Sequence, residues 1–217
     1  MPGAQRRYGG QSAEARRGER RARLIDAALD VLVSGDWRAV TVDKLCAAAG
    51  LNKRYFYESF TDLDAVAAGA IGDIADDIRS LATETASATA GQPLAAQAVA
   101  VVAAVVGALA DDPRRARALL GAAPVSPALQ NYRAEILRGL TAVLVEYART
   151  VHDVELEKDP LAQVAPSFII GGTADAILAF VDGRAKVTRD ELVQSIATLW
   201  LTTGNGAAQV AQARRLL

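Results

Sequence analysis

Three times in this chain a helix-capping residue is followed directly by proline: Asp112-Pro113, Ser126-Pro127 and Asp159-Pro160. The side-chain oxygen of such a pair can accept from the unpaired N–H groups of a first turn. The proline lacks an N–H where none is needed, and its fixed φ already suits a helix. The segments that follow are long and rich in Ala and Leu, which are strong helix formers. No segment alternates apolar and polar residues as a half-buried strand would. Hydrophobic residues make up 51% of the 217, so a sizeable core can be buried. These features predict an all-α protein of about nine to ten helices.

The chain can be divided further by the same signals. Residues 1–18 mix Gly, Arg, Gln and Ser and are expected to be a disordered basic arm. A first helix is expected from Glu19 to Ser34, with Leu24, Ala28, Leu29 and Leu32 on one face and Gly35 ending it. Thr41 caps a second helix over 42–49, and Gly50 breaks it. Asn52 caps a third over 53–60. Thr61 to Asp64 resembles the opening of a fourth, over 62–87. Further helices are expected at 93–110, 113–122, 127–151, 160–182 and 189–204, followed by a short tail helix. Thr188 and Glu191 form a capping box for the helix at 189. Pro166 should kink the eighth helix or mark its true start.

Charge is unevenly spread. Residues 1–60 carry 11 Lys/Arg and 7 Asp/Glu, whereas 61–217 carry 13 and 18. A net positive first quarter suits a segment that meets an anion. Cys46 is the only cysteine and His152 the only histidine. No disulfide within the chain, metal cluster or nucleophile–base pair can be assembled from them, so no metal, no cofactor and no enzymatic activity are expected. Cys46 reads as a small core residue, and His152 as a helix-end side chain. The N-terminus lacks the apolar stretch of a signal peptide, and a reducing, cytoplasmic compartment is expected. Leu94–Ala110 approaches the minimum length of a membrane span, but without flanking aromatics or basic residues it reads as a buried central helix. Gly171-Gly172 lies in a helical run with no preceding strand and is no phosphate loop; close helix approach is the expected role.

Two short helices joined by a turn at Gly50 make a helix-turn-helix, whose second helix enters the major groove of double-stranded DNA. On a wheel of that second helix, Phe56 points inward together with Phe60, while Arg54, Tyr55, Tyr57 and Glu58 occupy the other sides. Lys53 stands in its first turn. Lys and Tyr can hold phosphates, and Arg can make a bidentate contact to guanine.

The stretch from Thr41 to Phe60 resembles the DNA-binding segment of the TetR (tetracycline-repressor-like) family. Thr41, Val42, Leu45, Ala49, Gly50, Phe56, Tyr57 and Phe60 match its pattern. Asn52 stands where the family has a Ser cap, and Cys46 where Ala is usual. The resemblance implies a helix-turn-helix DNA-binding domain at 19–66 and a ligand-binding and dimerisation domain at 67–217. It implies phosphate contacts by Thr41, Lys53 and Tyr57, and base contacts by Arg54 and Tyr55. Leu63 stands where the family often carries Lys, so that phosphate contact is absent. The function implied is a regulator, a repressor, which binds a palindromic operator as a homodimer and is released by a small hydrophobic effector.

The C-terminal part supplies material for this. Small apolar residues over 94–110 leave room for an apolar molecule, and the polar groups able to orient it are sparse. Gln97, Tyr132, Phe168 and Thr173 are the candidates for the ligand site. Helices eight and nine are apolar around more than one stripe, which predicts a two-fold interface, with Ile196 and Trp200 as test positions. Two other readings are open: a helical enzyme without a recognisable catalytic motif, and a DNA-binding protein indifferent to ligands.

Overall fold

The computed structural model describes residues 12–121, 125–152 and 159–215, apart from the side chains of 147, 148, 150–152, 162 and 215. The arginines expected in the arm at positions 6 and 7, and the side chain of His152, lie outside the described residues. Among the described residues there are nine α-helices, one 3-10 turn (Trp37–Ala39) and no strand. The chain divides into two compact units, 1–70 and 71–217; the expected boundary was at 66/67.

In the first unit, α1 spans Ala13–Ser34, α2 Val42–Ala48 and α3 Lys53–Tyr57. Helix α1 starts six residues before the expected Glu19. Ser12 is the reason: its hydroxyl accepts from the Ala15 N–H at 3.0 Å, and Glu14 places a negative charge in the first turn. Residues 13–18 are therefore helical, not part of a disordered arm. Gly35 ends the helix at φ 83°, as its position suggested. Leu24, Ala28, Leu32, Leu45 and Phe56 are fully buried and form the core that α1, α2 and α3 share.

Helix α4 spans Leu63–Ala88 and continues through the boundary between the units. Its cap is Asp62, whose carboxylate accepts from the Ala65 N–H at 2.8 Å; the Thr61 hydroxyl donates instead to Asp62. The expected Thr61 box is thus shifted by one residue.

The second unit holds the remainder of α4 with α5 (Leu94–Ala110), α6 (Pro113–Leu120), α7 (Pro127–His152), α8 (Pro160–Val181) and α9 (Arg189–Arg215). All three cap–proline pairs act as read. Asp112 accepts from the Arg114 N–H, Ser126 from Leu129 and Asp159 from Leu161. The Thr188–Glu191 box closes in both directions, at 2.8 and 3.2 Å. That bonding holds the Glu191 carboxyl below its ordinary pKa. Helix α8 begins at Pro160 and runs on through Pro166, which does not mark its start.

Helix α5 is the central helix and packs on α6, α8 and α9, with Val102, Val106 and Leu109 buried. The single stretch long and apolar enough to cross a membrane, among the described residues, is Gln163–Val181, with mean hydropathy 1.7. It lies in α8, against α7 and α9.

Helix α9 is the main difference from expectation. It does not stop at 204 but continues through Gly204 and Gly206 to Arg215. Helical glycine costs about 1 kcal/mol each relative to alanine. The cost is offset by tertiary contacts further on: Ala207, Ala208 and Ala211 are buried, and Arg214 reaches the buried Asp159 at 3.1 Å. Ion pairs fix other ends, Arg117 to Asp182 at 2.9 Å and Arg189 to Asp111 at 2.6 Å.

Candidate nucleic-acid interface and internal cavity

The turn between α2 and α3 is set by Gly50, whose φ of 61° lies in the left-handed region. Its carbonyl accepts from Arg23 Nη2 of α1 at 3.2 Å, which ties the turn to the first helix. Thr41 caps α2 by accepting from the Lys44 N–H at 3.2 Å, and Asn52 caps α3 by accepting from Tyr55 at the same distance. Phe56 is the anchor of α3. It is fully buried, with Tyr57 edge-on at 5.3 Å between ring centroids and Phe60 at 6.1 Å.

With Phe56 fixed inward, the other faces of α3 are determined. Lys53 is exposed, and its ammonium sits 2.8 Å from the Asp43 carboxylate. That contact raises the Lys53 pKa, so the group is cationic at neutral pH. Arg54 is the most exposed of the set, with Nε on Glu58 at 3.2 Å. Tyr57 is 60% exposed. Thr41 is exposed at the start of α2. Tyr55 is different: it is half-buried, its ring 4.4 Å beneath the guanidinium of Arg20. Glu58 joins the same group by accepting from Arg20 at 3.3 Å. The surface therefore presents cations and a phenol at the positions read from the sequence, on a helix locked by buried aromatics.

Two residues of this surface were not singled out from sequence. Lys44 is exposed on α2, with its ammonium 3.3 Å from the Ala39 carbonyl. Its place between the inward Val42 and Leu45 was the available signal. Asp43 lies in the first turn of α2, where its charge also favours the helix dipole, and its pairing with Lys53 depends on how α2 and α3 cross. Cys46 is buried, and burial pushes its thiol pKa up, as a core cysteine requires.

The second unit contains a cavity of about 490 Å³, within the usual range of ligand pockets, about 300–1,000 Å³. Its wall draws on all six helices of the unit. Ile78, Ala82 and Ala86 come from α4, and Ala98, Val101 and Val105 from α5. Leu119 and Leu120 come from α6, and Leu137, Leu140 and Leu144 from α7. Ile169, Thr173 and Ile177 of α8 and Trp200 and Leu201 of α9 complete it. The few polar groups are largely occupied. The Thr173 hydroxyl donates to the Ile169 carbonyl and accepts from Trp200 Nε1, both at 2.7 Å. The Gln97 amide donates to the Gln92 carbonyl at 2.8 Å. These bonds brace the wall and leave its surface almost wholly apolar.

Of the four ligand-site candidates, Gln97 and Thr173 line the cavity. Tyr132 and Phe168 do not. Tyr132 is 36% exposed, with its hydroxyl against the open side of Gly72, and Phe168 is 69% exposed. Helix α8 is apolar on nearly every side, so composition alone does not select the face that meets the cavity. The same ambiguity misplaced two interface positions: Ile196 is buried within its own unit, and Trp200 belongs to the cavity wall. The leucine-rich face of α7 was also missed, because nothing in its spacing separates a cavity wall from a packed core.

The fold and the α2–α3 surface define the class: an all-helical helix-turn-helix protein with a hollow C-terminal unit. Residues 24–69, which contain the helix-turn-helix, match the family model of the bacterial regulatory proteins, tetR family. Solved structures share the fold over nearly the whole chain. A TetR-family transcriptional regulator from Syntrophomonas wolfei is 16% identical, over 87% of this chain and 96% of that one, with a TM-score of 0.71. A transcriptional regulator from Pseudomonas aeruginosa PAO1 is 22% identical, over 95% and 98%, with a TM-score of 0.69. The regulator FadR from Bacillus subtilis, solved in complex with stearoyl-CoA, is 18% identical, over 84% and 98%, with a TM-score of 0.64. No curated protein matches the chain significantly.

Proposed function

We propose that this protein is a ligand-responsive transcriptional repressor that binds a palindromic operator as a homodimer and releases it when a small apolar molecule fills the cavity. The observation that carries the reading is the coexistence, in one chain, of a tetR-type helix-turn-helix and an apolar cavity of about 490 Å³. Thr41, Lys53 and Tyr57 hold phosphates, Arg54 reads a base edge, and Tyr55 flanks it from beneath Arg20. The complex of FadR with stearoyl-CoA supports an effector with a long apolar part. The regulator works in the cytoplasm, without catalysis or a cofactor.

The two-fold interface is formed by α8 and α9. Val164 and Phe168, one turn apart on α8, are 61% and 69% exposed, and Leu199 on α9 is 63% exposed. Large apolar side chains left open on neighbouring helices favour a self-complementary contact with a second copy. Selection of bound sequences from random DNA tests the reading. The expected result is an inverted repeat with half-sites about one helical turn apart or slightly more. Enrichment of a single unrepeated half, or of no sequence, overturns it.

A further inference from the structure

Glu58, which closes α3, bonds two arginines at once. Its Oε1 accepts from Arg54 Nε on α3 at 3.2 Å, and its Oε2 accepts from Arg20 Nη2 on α1 at 3.3 Å. Arg20 is held a second time, with its guanidinium 4.4 Å above the Tyr55 ring. The three side chains are unequally covered: Arg20 is 21% and Glu58 34% exposed, against 84% for Arg54. Arg20 and Glu58 thus form a base packed on the side of α3, and Arg54 is its open end.

Helix stability does not account for this arrangement. Helix α3 has five residues, and an arginine four positions before a glutamate is the less favourable order for such a pair. A lone exposed ion pair holds a side chain only loosely, whereas a half-covered carboxylate shared by two cations forms a network. What the network fixes is the guanidinium plane of Arg54. With Nε on Glu58, Nη1 and Nη2 are left at the end of the fork. Two N–H groups there match the O6 and N7 acceptors that guanine presents in the major groove. Each oxygen of Glu58 already accepts from an arginine, which disfavours a second role as acceptor for a cytosine amino group. Arg20 supplies the second positive charge, so the surface stays cationic although it carries a carboxylate.

We propose that Glu58 is the positioning residue for Arg54, braced by Arg20, so that Arg54 reads one guanine of each half-site end-on through Nη1 and Nη2. This rests on the operator reading above and adds to it the base and the residue that aims the side chain.

Fluorescence anisotropy of the full-length protein on its selected operator tests the proposal, with each guanine replaced in turn by 7-deazaguanine, which lacks the N7 acceptor. In the unaltered protein one guanine of each half-site should be sensitive, with binding weakened about fivefold, a part of the discrimination of a bidentate contact. Arg54→Ala should abolish that sensitivity. Glu58→Gln should reduce it to below about twofold while affinity for random-sequence DNA stays equal or rises, because an anion has left the surface. A merely structural role would lower both together. In the Arg54→Ala background, Glu58→Gln should change nothing at that guanine, since it acts only through Arg54. Arg20→Gln leaves α3 unaltered and should reduce the sensitivity at the same guanine, which keeps the test open should Glu58→Gln not fold. Unchanged sensitivity in either variant overturns the proposal, as does equal weakening of operator and random DNA by Glu58→Gln. A selected operator with no guanine whose sensitivity depends on Arg54 also overturns it and leaves the operator reading intact. Selection that enriches no sequence overturns both.

Discussion

The Lys53 ammonium, in the first turn of α3, lies 2.8 Å from the Asp43 carboxylate in the first turn of α2. A cation proposed to hold a DNA phosphate is thus already paired with an anion of its own unit, and phosphate and Asp43 compete for it. Asp43→Asn should raise affinity for all DNA sequences alike and steepen the dependence of log K on log salt by up to about 0.9, the contribution of one phosphate contact. Lys53→Gln should do the opposite. Fluorescence anisotropy over a salt series measures both. Weaker binding by Asp43→Asn would mean that the carboxylate orients Lys53 and does not compete with DNA.

Gly50 at φ 61° should tolerate no side chain. A Cβ there would lie 2.6 Å from Arg23 Nη2, so Gly50→Ala adds displacement of Arg23 to about 1–2 kcal/mol of left-handed backbone strain. Arg23→Ala removes only the contact at an exposed site and should cost less. Thermal unfolding followed by circular dichroism compares the two. An equal loss in both variants would show that the tie to α1, and not the backbone conformation, matters at this turn.

Phe168→Glu combined with Leu199→Glu places charge on the exposed apolar faces of α8 and α9 without touching the core. Sedimentation should show the parent as a dimer at micromolar concentration and this variant as a folded monomer with weakened operator binding. Ile196→Glu, by contrast, buries a charge in a side chain 2% exposed and should prevent folding. A dimeric double variant would move the interface elsewhere.

The proposed release of DNA by an effector predicts coupling through helix α4. Its early turns belong to the N-terminal unit, where Gly69 packs against Phe60, and its later turns supply Ile78, Ala82 and Ala86 to the cavity wall. An effector that lowers operator affinity a hundredfold must prefer the released state by about 2.7 kcal/mol, and operator must weaken effector binding by the same factor. Titrating an effector that releases operator into free and operator-bound protein checks this. Equal affinities in the two titrations would exclude coupling through α4.

The sequence by itself determined the elements of this protein. The caps at Thr41, Asn52, Asp112, Ser126, Asp159 and Thr188, the break at Gly50 and the inward Phe56 are local facts: each rests on bonds within one turn or on a 3.6-residue period. They suffice to place the helix-turn-helix and its exposed cations. What local signals could not decide is which side of an all-round apolar helix meets which neighbour. Phe168 and Ile169 are adjacent and equally apolar; tertiary packing turned the first to solvent and the second to the cavity. Long-range contacts likewise overrode local preference in α9, where buried Ala207, Ala208 and Ala211 carry the helix past two glycines. The cavity itself and the pairing of Asp43 with Lys53 arise only where separate helices come together. Each is a property of distances between residues far apart in the chain, and periodicity within a single helix contains no such distances.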